Sequence, residues 1–347
     1  MKDFLGTKVT LDEVAQAAGV SRSTASRVLT SDPRVSPDAR RAVERAASKL
    51  GYVPNQAGRA LATGRSDAVA LVVFEPTILL FGDPFIPRLL RGLGDILNSR
   101  DMQLILLAPQ SAPDSDRVER YVAAGHVDGA LLISLPSSHP LPGRLASRGM
   151  PVVIGGRPTE ADRFNHVDVD NVAGAAHAVA HLVAGERRTI ATVTGRKDVS
   201  AGQDRLRGYE EGLRAAALPN DDALVEAGDF TRNGGARAMR FLLIKRPRLD
   251  AVFVASDLMA VGVLQVLAEA GRRVPEDVAV VGYDDDPMAA ALQPPLSSVR
   301  QPIEEMGREM ARLLMDAIHS PDRPPRKVLL TTARGAPLLG PHRSQAH

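Results

Sequence analysis

From Asp67 onward, short apolar runs recur with a helix-sized gap between most of them. They are AVALVV (68–73), MQLILLA (102–108), GALLIS (129–134), PVVI (151–154), TIATVT (189–194), DAVFVA (250–255) and DVAVVGY (277–283). No other feature restricts the fold so strongly. Each run has the length of a strand, and most are rich in β-branched residues and nearly free of polar side chains. That is the pattern of a strand buried on both faces. Amphipathic helical stretches fill the gaps. Strand–helix alternation of this kind builds parallel sheets covered by helices, and such sheets bind ligands beyond the carboxyl ends of their strands. The chain shows no internal repeat and no low-complexity tract.

The first 65 residues follow other rules. They carry 11 Lys+Arg against 6 acids, whereas the rest of the 347-residue chain carries 32 against 35. A basic head on a slightly acidic body suits contact with a polyanion. The head parses into three short helices. Thr10-Leu11-Asp12-Glu13 is a capping box, with Leu11, Val14, Ala15 and Ala18 on one face behind it. Gly19-Val20 makes a tight turn, and Ser21 caps a second helix over 22–29 with Val28 and Leu29 facing inward. Ser36-Pro37-Asp38 starts a third helix that runs to about Leu50 and stops at Gly51. Two helices joined by a short glycine turn form a helix-turn-helix, which lays its second helix in the major groove of DNA. The outer face of that helix offers Arg22, Ser23, Ser26 and Arg27 as groove or phosphate donors, and Thr24 adds hydroxyl or methyl contacts. Arg22 and Ser23 stand best placed for base edges. A three-helix protein-binding module is the bland alternative, and the small and cationic side chains on that face argue against it.

The stretch NQAGRALATG (55–64) opens with Asn55 after a proline, contains Gly58, and ends within about two turns. So short a helix is marginal in water, and its glycine costs roughly 1 kcal/mol relative to alanine. It folds only where something repays the ordering.

TLDEVAQAAGVSRSTASRVL, then VSPDARRAVERAASKLGYVPN, resembles the head of the lactose-repressor/galactose-repressor (LacI/GalR) family of bacterial transcription regulators. The likeness continues to about residue 335. It implies a small all-α helix-turn-helix head (1–54), then a hinge helix and linker (55–66). An α/β core like the periplasmic binding proteins follows (67–335), made of two subdomains around a cleft, and the last residues (336–347) form a flexible tail. The chain is expected to cross between subdomains near 162–166, 291–294 and 322–326, so that one holds about 67–163 and 293–323 and the other about 164–292 and 324–335. The resemblance implies that the hinge orders when two subunits meet on an operator. Leu61 then wedges into the minor groove, Asn55 caps and Arg59 touches the backbone or groove. An inserted leucine unstacks bases and bends DNA toward more protein surface. Gly58 stands where the family has alanine, which should make the hinge harder to fold. Thr10 and Ser21 join Arg22, Ser23, Thr24, Ser26 and Arg27 as expected DNA contacts.

Seven positions match family residues that line the effector pocket: Phe85, Ile86, Ser134, Arg205, Phe230, Ser256 and Asp284. Arg205 and Asp284 would hold hydroxyls by charge-assisted hydrogen bonds, and Phe230 would give an apolar face to a sugar ring or a base. Set against this, Asp284 could be only a helix cap and Arg205 a structural ion pair. Ser256 replaces a frequent Asn, and Gly156 stands where an acid is common. His177 and His181, four apart, lack a third ligand, so no metal is expected. No cofactor is expected either.

The implied function is a dimeric repressor that binds a palindromic operator and is released by a small, sugar-like inducer. A corepressor-dependent regulator answering to a purine or another metabolite is the alternative, and a sugar-binding transport protein is a more distant one. The absence of cysteine excludes disulfides and thiol catalysis. No G-x-x-x-x-G-K-[ST], G-x-S-x-G or H-E-x-x-H occurs, so no enzyme is expected. No apolar run of membrane-spanning length occurs, and MKDFLGTKVTLDEV has no apolar signal core; a cytoplasmic protein is the reading. The C-terminal residues lack leucine heptads, so a dimer rather than a tetramer is expected.

Overall fold

The structure, a computed structural model, describes residues 9–29, 32, 34–53 and 64–334. The chain divides into two units, Met1–Ser66 and Asp67–His347. The hinge positions Asn55, Gly58, Arg59 and Leu61, and the expected flexible tail, lie outside the described residues.

The first unit holds three helices: α1 (Leu11–Ala18), α2 (Arg22–Leu29) and α3 (Pro37–Leu50). Gly19 and Gly51 end α1 and α3 in the left-handed region, at φ 67° and 64°, where glycine is least strained. Val14, Ala15, Ala25, Val28 and Val43 bury their side chains between the three helices. Alanine at the contacts lets helices this short come close enough to share one core.

The second unit contains two six-stranded sheets. In chain order its elements begin with β1 (Ala68–Val73), α4 (Thr77–Gly82), α5 (Phe85–Leu97), β2 (Gln103–Leu107), α6 (Ala112–Tyr121) and β3 (Gly129–Ile133). Next come α7 (Leu141–Ala146), β4 (Val152–Gly155), β5 (Asn165–Val169), α8 (Asn171–Ala184), β6 (Ile190–Thr194), α9 (Ser200–Ala215) and β7 (Val225–Ala227). The last are α10 (Arg232–Lys245), β8 (Ala251–Val254), α11 (Asp257–Glu269), β9 (Ala279–Asp284), α12 (Pro287–Ala291), β10 (Ser297–Arg300), α13 (Ile303–His319), β11 (Lys327–Leu330) and β12 (Ala333–Arg334). The first sheet runs β11-β5-β4-β3-β1-β2 and is parallel throughout. The second runs β12-β10-β9-β8-β6-β7, parallel except where the short β12 pairs with β10.

Side-chain alternation divides each strand between two cores. Val69, Leu71 and Val73 of β1 pack with α5 and α13, while Ala68, Ala70 and Val72 pack with Val118 and Leu141 on the opposite face. Both faces are covered, which is why the strand reads as a continuous apolar run.

The crossings lie further along the chain than expected. The chain passes between the sheets at Asp170, between β5 and α8, at Gln301–Pro302, between β10 and α13, and at Thr331–Thr332, between β11 and β12. The expected 162–166, 291–294 and 322–326 each fall one strand too early. The strands concerned, NHVDV, SSVR and KVLL, carry polar or charged residues and lie next to or at a sheet edge, so they lack the apolar run that marks the central strands. Accordingly β5 and β11 belong with the first sheet and β10 with the second, contrary to the expected division.

Candidate DNA-reading face and effector cleft

In the head, Thr10 and Glu13 close a reciprocal cap. The Glu13 amide donates to Thr10 Oγ1 at 3.3 Å, and the Thr10 amide donates to Glu13 Oε2 at 2.7 Å. These bonds hold the Glu13 carboxyl below its usual range. Ser21 Oγ accepts the Thr24 amide at 3.2 Å and lies 2.9 Å from the hydroxyls of Ser23 and Thr24. The start of α2 thus carries a cluster of hydroxyls. Ala25 and Val28 are buried, while Arg22, Ser23 and Arg27 are exposed on the other side and Thr24 and Ser26 are half-buried. Arg22 forms a 3.5 Å ion pair with Asp12 of α1 in which both side chains stay mostly exposed, so it adds little stability and restrains the arginine weakly.

In the core, the carboxyl ends of the two sheets enclose a cavity of about 840 Å³, open mouth included. Phe85, Ser134, Arg205, Phe230 and Asp284 line it. Ile86 and Ser256 do not. Ile86 is 3% exposed and packs in the core with Leu89 and Val73, because its place in the first turn of α5 turns it toward the sheet. Ser256 is 2% exposed and caps α11 by accepting the Met259 amide at 3.3 Å. Its hydroxyl completes a helix end rather than reaching the ligand space.

Arg205 anchors one side of the cavity. Its guanidinium is 4% exposed at the residue level, donates from Nε to Asn171 Oδ1 at 2.9 Å and from Nη1 to the Ala255 carbonyl at 2.5 Å, and pairs with Asp284 at 3.6 Å. It lies on the Tyr283 ring, 3.8 Å from the centroid, and 5.9 Å from that of Phe230. Planar stacking and fixed donors hold the charge in place without free rotation. The Phe230 ring rests on Gly195, where an added Cβ would come 2.1 Å from Cζ. Ser134, Phe230 and Asp284 have φ of 53°, 65° and 116°. Non-glycine residues at positive φ cost about 1 kcal/mol or more and gather where a site dictates backbone direction.

Among the lining residues that escaped sequence reasoning are the charged or amide side chains of Glu75, Asp83, Arg157, Asp168, Asn171 and Gln301. Asp168, Asn171 and Gln301 sit at the ends of β5 and β10, the disguised strands, so the strand-end rule would have found them had those strands been recognised. Glu75 and Asp83 flank α4, after β1. Burial pushes the Asp168 carboxyl up to about 6. Burial also raises Asp284, against the neighbouring Arg205, and Gln301 donates to its Oδ1. Burial raises Glu75 and Asp83 as well.

Bonds tie the two sides together across the cleft. Arg157 grips Asp204 at 2.7 and 3.2 Å, and Arg196 donates to the Phe74 carbonyl at 2.9 Å and to Glu75 at 3.2 Å. The Ser137 amide donates to the Asp198 carbonyl at 2.8 Å. Gly156 has φ 100°, where an L side chain is strained, and a Cβ there would come 2.9 Å from Ser200 Oγ, so the acid expected from the resemblance would fit only if Ser200 moved. His177 and His181 lie away from that cavity and line a second one with Ser298 and Thr332. Among the described residues no group of three or more His, Asp or Glu is placed to hold a metal ion, and no helix is long and apolar enough to cross a membrane.

Residues 10–55 match the model for bacterial regulatory proteins of the lacI family, and residues 179–335 match a periplasmic binding protein-like domain. The HTH-type transcriptional regulator CelR of Thermobifida fusca is 48% identical over 93% of this chain and 96% of its own. A solved transcriptional regulator CelR–cellobiose complex is 47% identical, with a TM-score of 0.76 over 94% of this chain and 98% of that one. The Lac repressor dimer bound to operator and the anti-inducer ONPF shares the fold, with a TM-score of 0.83 at 23% identity over 94% of this chain and 97% of that one. With a head and a two-sheet core of this form, and a relative this similar along nearly its whole length, the chain belongs to the lacI family of bacterial regulatory proteins.

Proposed function

We propose that the protein is a dimeric DNA-binding repressor whose cleft takes cellobiose or another short β-glucoside, and that the bound sugar releases it from its operator. One observation carries this reading: Asn171 and Gln301, beside two of the crossings, line the cavity and bond to Arg205 and Asp284. A ligand held there touches the segments about which the two halves turn. Its preference for one arrangement of the halves is the whole of the coupling to DNA. The likeness to CelR, solved with cellobiose, supports the sugar, and the Phe230 face with surrounding carboxyls and amides suits a ring bearing hydroxyls. On DNA, α2 of each subunit would read one half-site of a palindrome, with Arg22 and Ser23 toward base edges and Arg27 toward a guanine or a phosphate. The protein would act in the cytoplasm and leave its ligand chemically unchanged.

The test starts by selecting genomic fragments that the purified protein retains at controlled salt. Fluorescence anisotropy on the palindrome recovered then follows release as cellobiose is added. A loss of operator affinity, with the disaccharide recovered intact, is the expected result. Operator binding that no mono- or disaccharide alters would overturn the proposal.

A further inference from the structure

The charges around the cleft narrow its ligand, given that the cleft is a sugar site as proposed above. Four carboxyl side chains line the cavity, Glu75, Asp83, Asp168 and Asp284, and two cations, Arg157 and Arg205. Both cations are engaged by the protein. Arg157 holds Asp204 through Nε and Nη2. Arg205 faces Asp284 and spends Nε and Nη1 on Asn171 and the Ala255 carbonyl. Behind Glu75, Arg196 grips Asp198 through Nε and Nη2 and gives Nη1 to Glu75 and the Phe74 carbonyl. Asp83 accepts the Phe85 amide at 2.9 Å. No lysine lines the cavity.

A phosphate or carboxylate taken into such a space needs donors aimed at it. Here it would have to break an existing ion pair, or force neighbouring carboxylates to take up protons. An uncompensated buried charge costs several kcal/mol. An uncharged polyol meets the opposite situation. Its hydroxyls donate to the carboxylate oxygens, and its oxygens accept from arginine and amide N–H groups.

We propose that this cleft is built for an uncharged glycan and rejects the phosphorylated or aldonate form of the same sugar. The reaction that supplies the effector is then one that leaves every hydroxyl free, namely glycoside hydrolysis or uptake without modification. Uptake by phosphotransfer would deliver the wrong ligand.

Calorimetric titration of the full-length protein with cellobiose, cellobiose 6′-phosphate and cellobionate tests this, alongside a thermal-shift panel of neutral sugars and their phosphates. Both anions should bind at least about 100-fold more weakly than the parent sugar. Asp83→Asn should narrow that ratio about tenfold, whatever it does to cellobiose itself. An anion that binds within tenfold of cellobiose, or a ratio that Asp83→Asn leaves unchanged, overturns the inference. Binding of some other neutral sugar with cellobiose silent removes the β-glucoside reading and keeps this one. Binding by sugar phosphates alone, or by nothing in the panel, removes this one.

Discussion

Gly195→Ala should cripple sugar binding while sparing the rest of the fold. Gly195 follows β6, and an added Cβ would stand 2.1, 2.4 and 2.9 Å from Cζ, Cε1 and Cε2 of Phe230. Ordinary contact begins near 3.4 Å, so the ring must retreat by about 1.3 Å. Its backbone offers little relief, because Phe230 already sits at φ 65° and Gly228 beside it is hemmed in by Met259 and the Thr194 carbonyl. The open side is the cavity, where the ring would enter the space of the ligand. Overpacking of this kind costs about 1–3 kcal/mol. Charged to binding, that is a loss of roughly 5- to 150-fold in affinity. Calorimetry with cellobiose measures the loss, and melting curves measure what falls on the fold. The Gly195→Ala/Phe230→Ala pair completes a cycle, because removing the ring removes the collision, and the methyl should then cost almost nothing further. Undiminished affinity in Gly195→Ala, or equal costs with and without the ring, would refute the reasoning.

Asp168 should make the core less stable as pH rises. Its carboxyl sits near 6 rather than 3.8, so the folded chain holds the proton more tightly. The stability this contributes is present below about pH 4 and lost as pH climbs through 6. Asp168→Asn should therefore gain on the wild type between pH 4 and 7, by at most about 3 kcal/mol, and denaturant titrations whose difference stays flat across that range would contradict this. Ile86→Ala should cost about 2–5 kcal/mol of stability, and Ser256→Ala about 1 kcal/mol, each with little change in sugar affinity. A large affinity loss in either would restore it to the ligand space. In the head, Arg27→Ala should weaken operator binding and reduce the salt slope by about 1 if its partner is a phosphate. An unchanged slope with relaxed sequence preference would assign it to a base instead.

The head was legible because its signals are local. Thr10–Glu13, Gly19, Ser36-Pro37 and Gly51 each set a helix end by contacts within a few residues, and all lie where the sequence puts them. The central strands were legible because burial on both faces leaves an apolar run. The outer strands were not, since NHVDV and SSVR mix core and site residues in one short span. Asp168 and Ser298 are buried, and no apolar run announces them: Asp168 lines the cleft and accepts the Val169 amide at 2.8 Å, and Ser298 donates to the distant Asp257 at 2.7 Å. Ile86 and Ser256 failed in the other direction. Neighbours of true lining residues, they share a motif with the site, but the helix rotates one side chain into the core and spends the other on its own amide.

Asn171 and Gln301, beside two of the crossings, line the cavity, while Arg157–Asp204 and Ser137–Asp198 join its two sides. Bonds made at a crossing and bonds made away from it differ in leverage. A bond made near an axle exerts little torque, whereas one made at the rim exerts much. On the proposed reading, a sugar held at Asn171 and Gln301 touches the segments about which the halves turn, and one long enough to reach Arg157 as well would act on them with the longer lever. Chain length would then grade the response, with short and long sugars alike able to shift the halves.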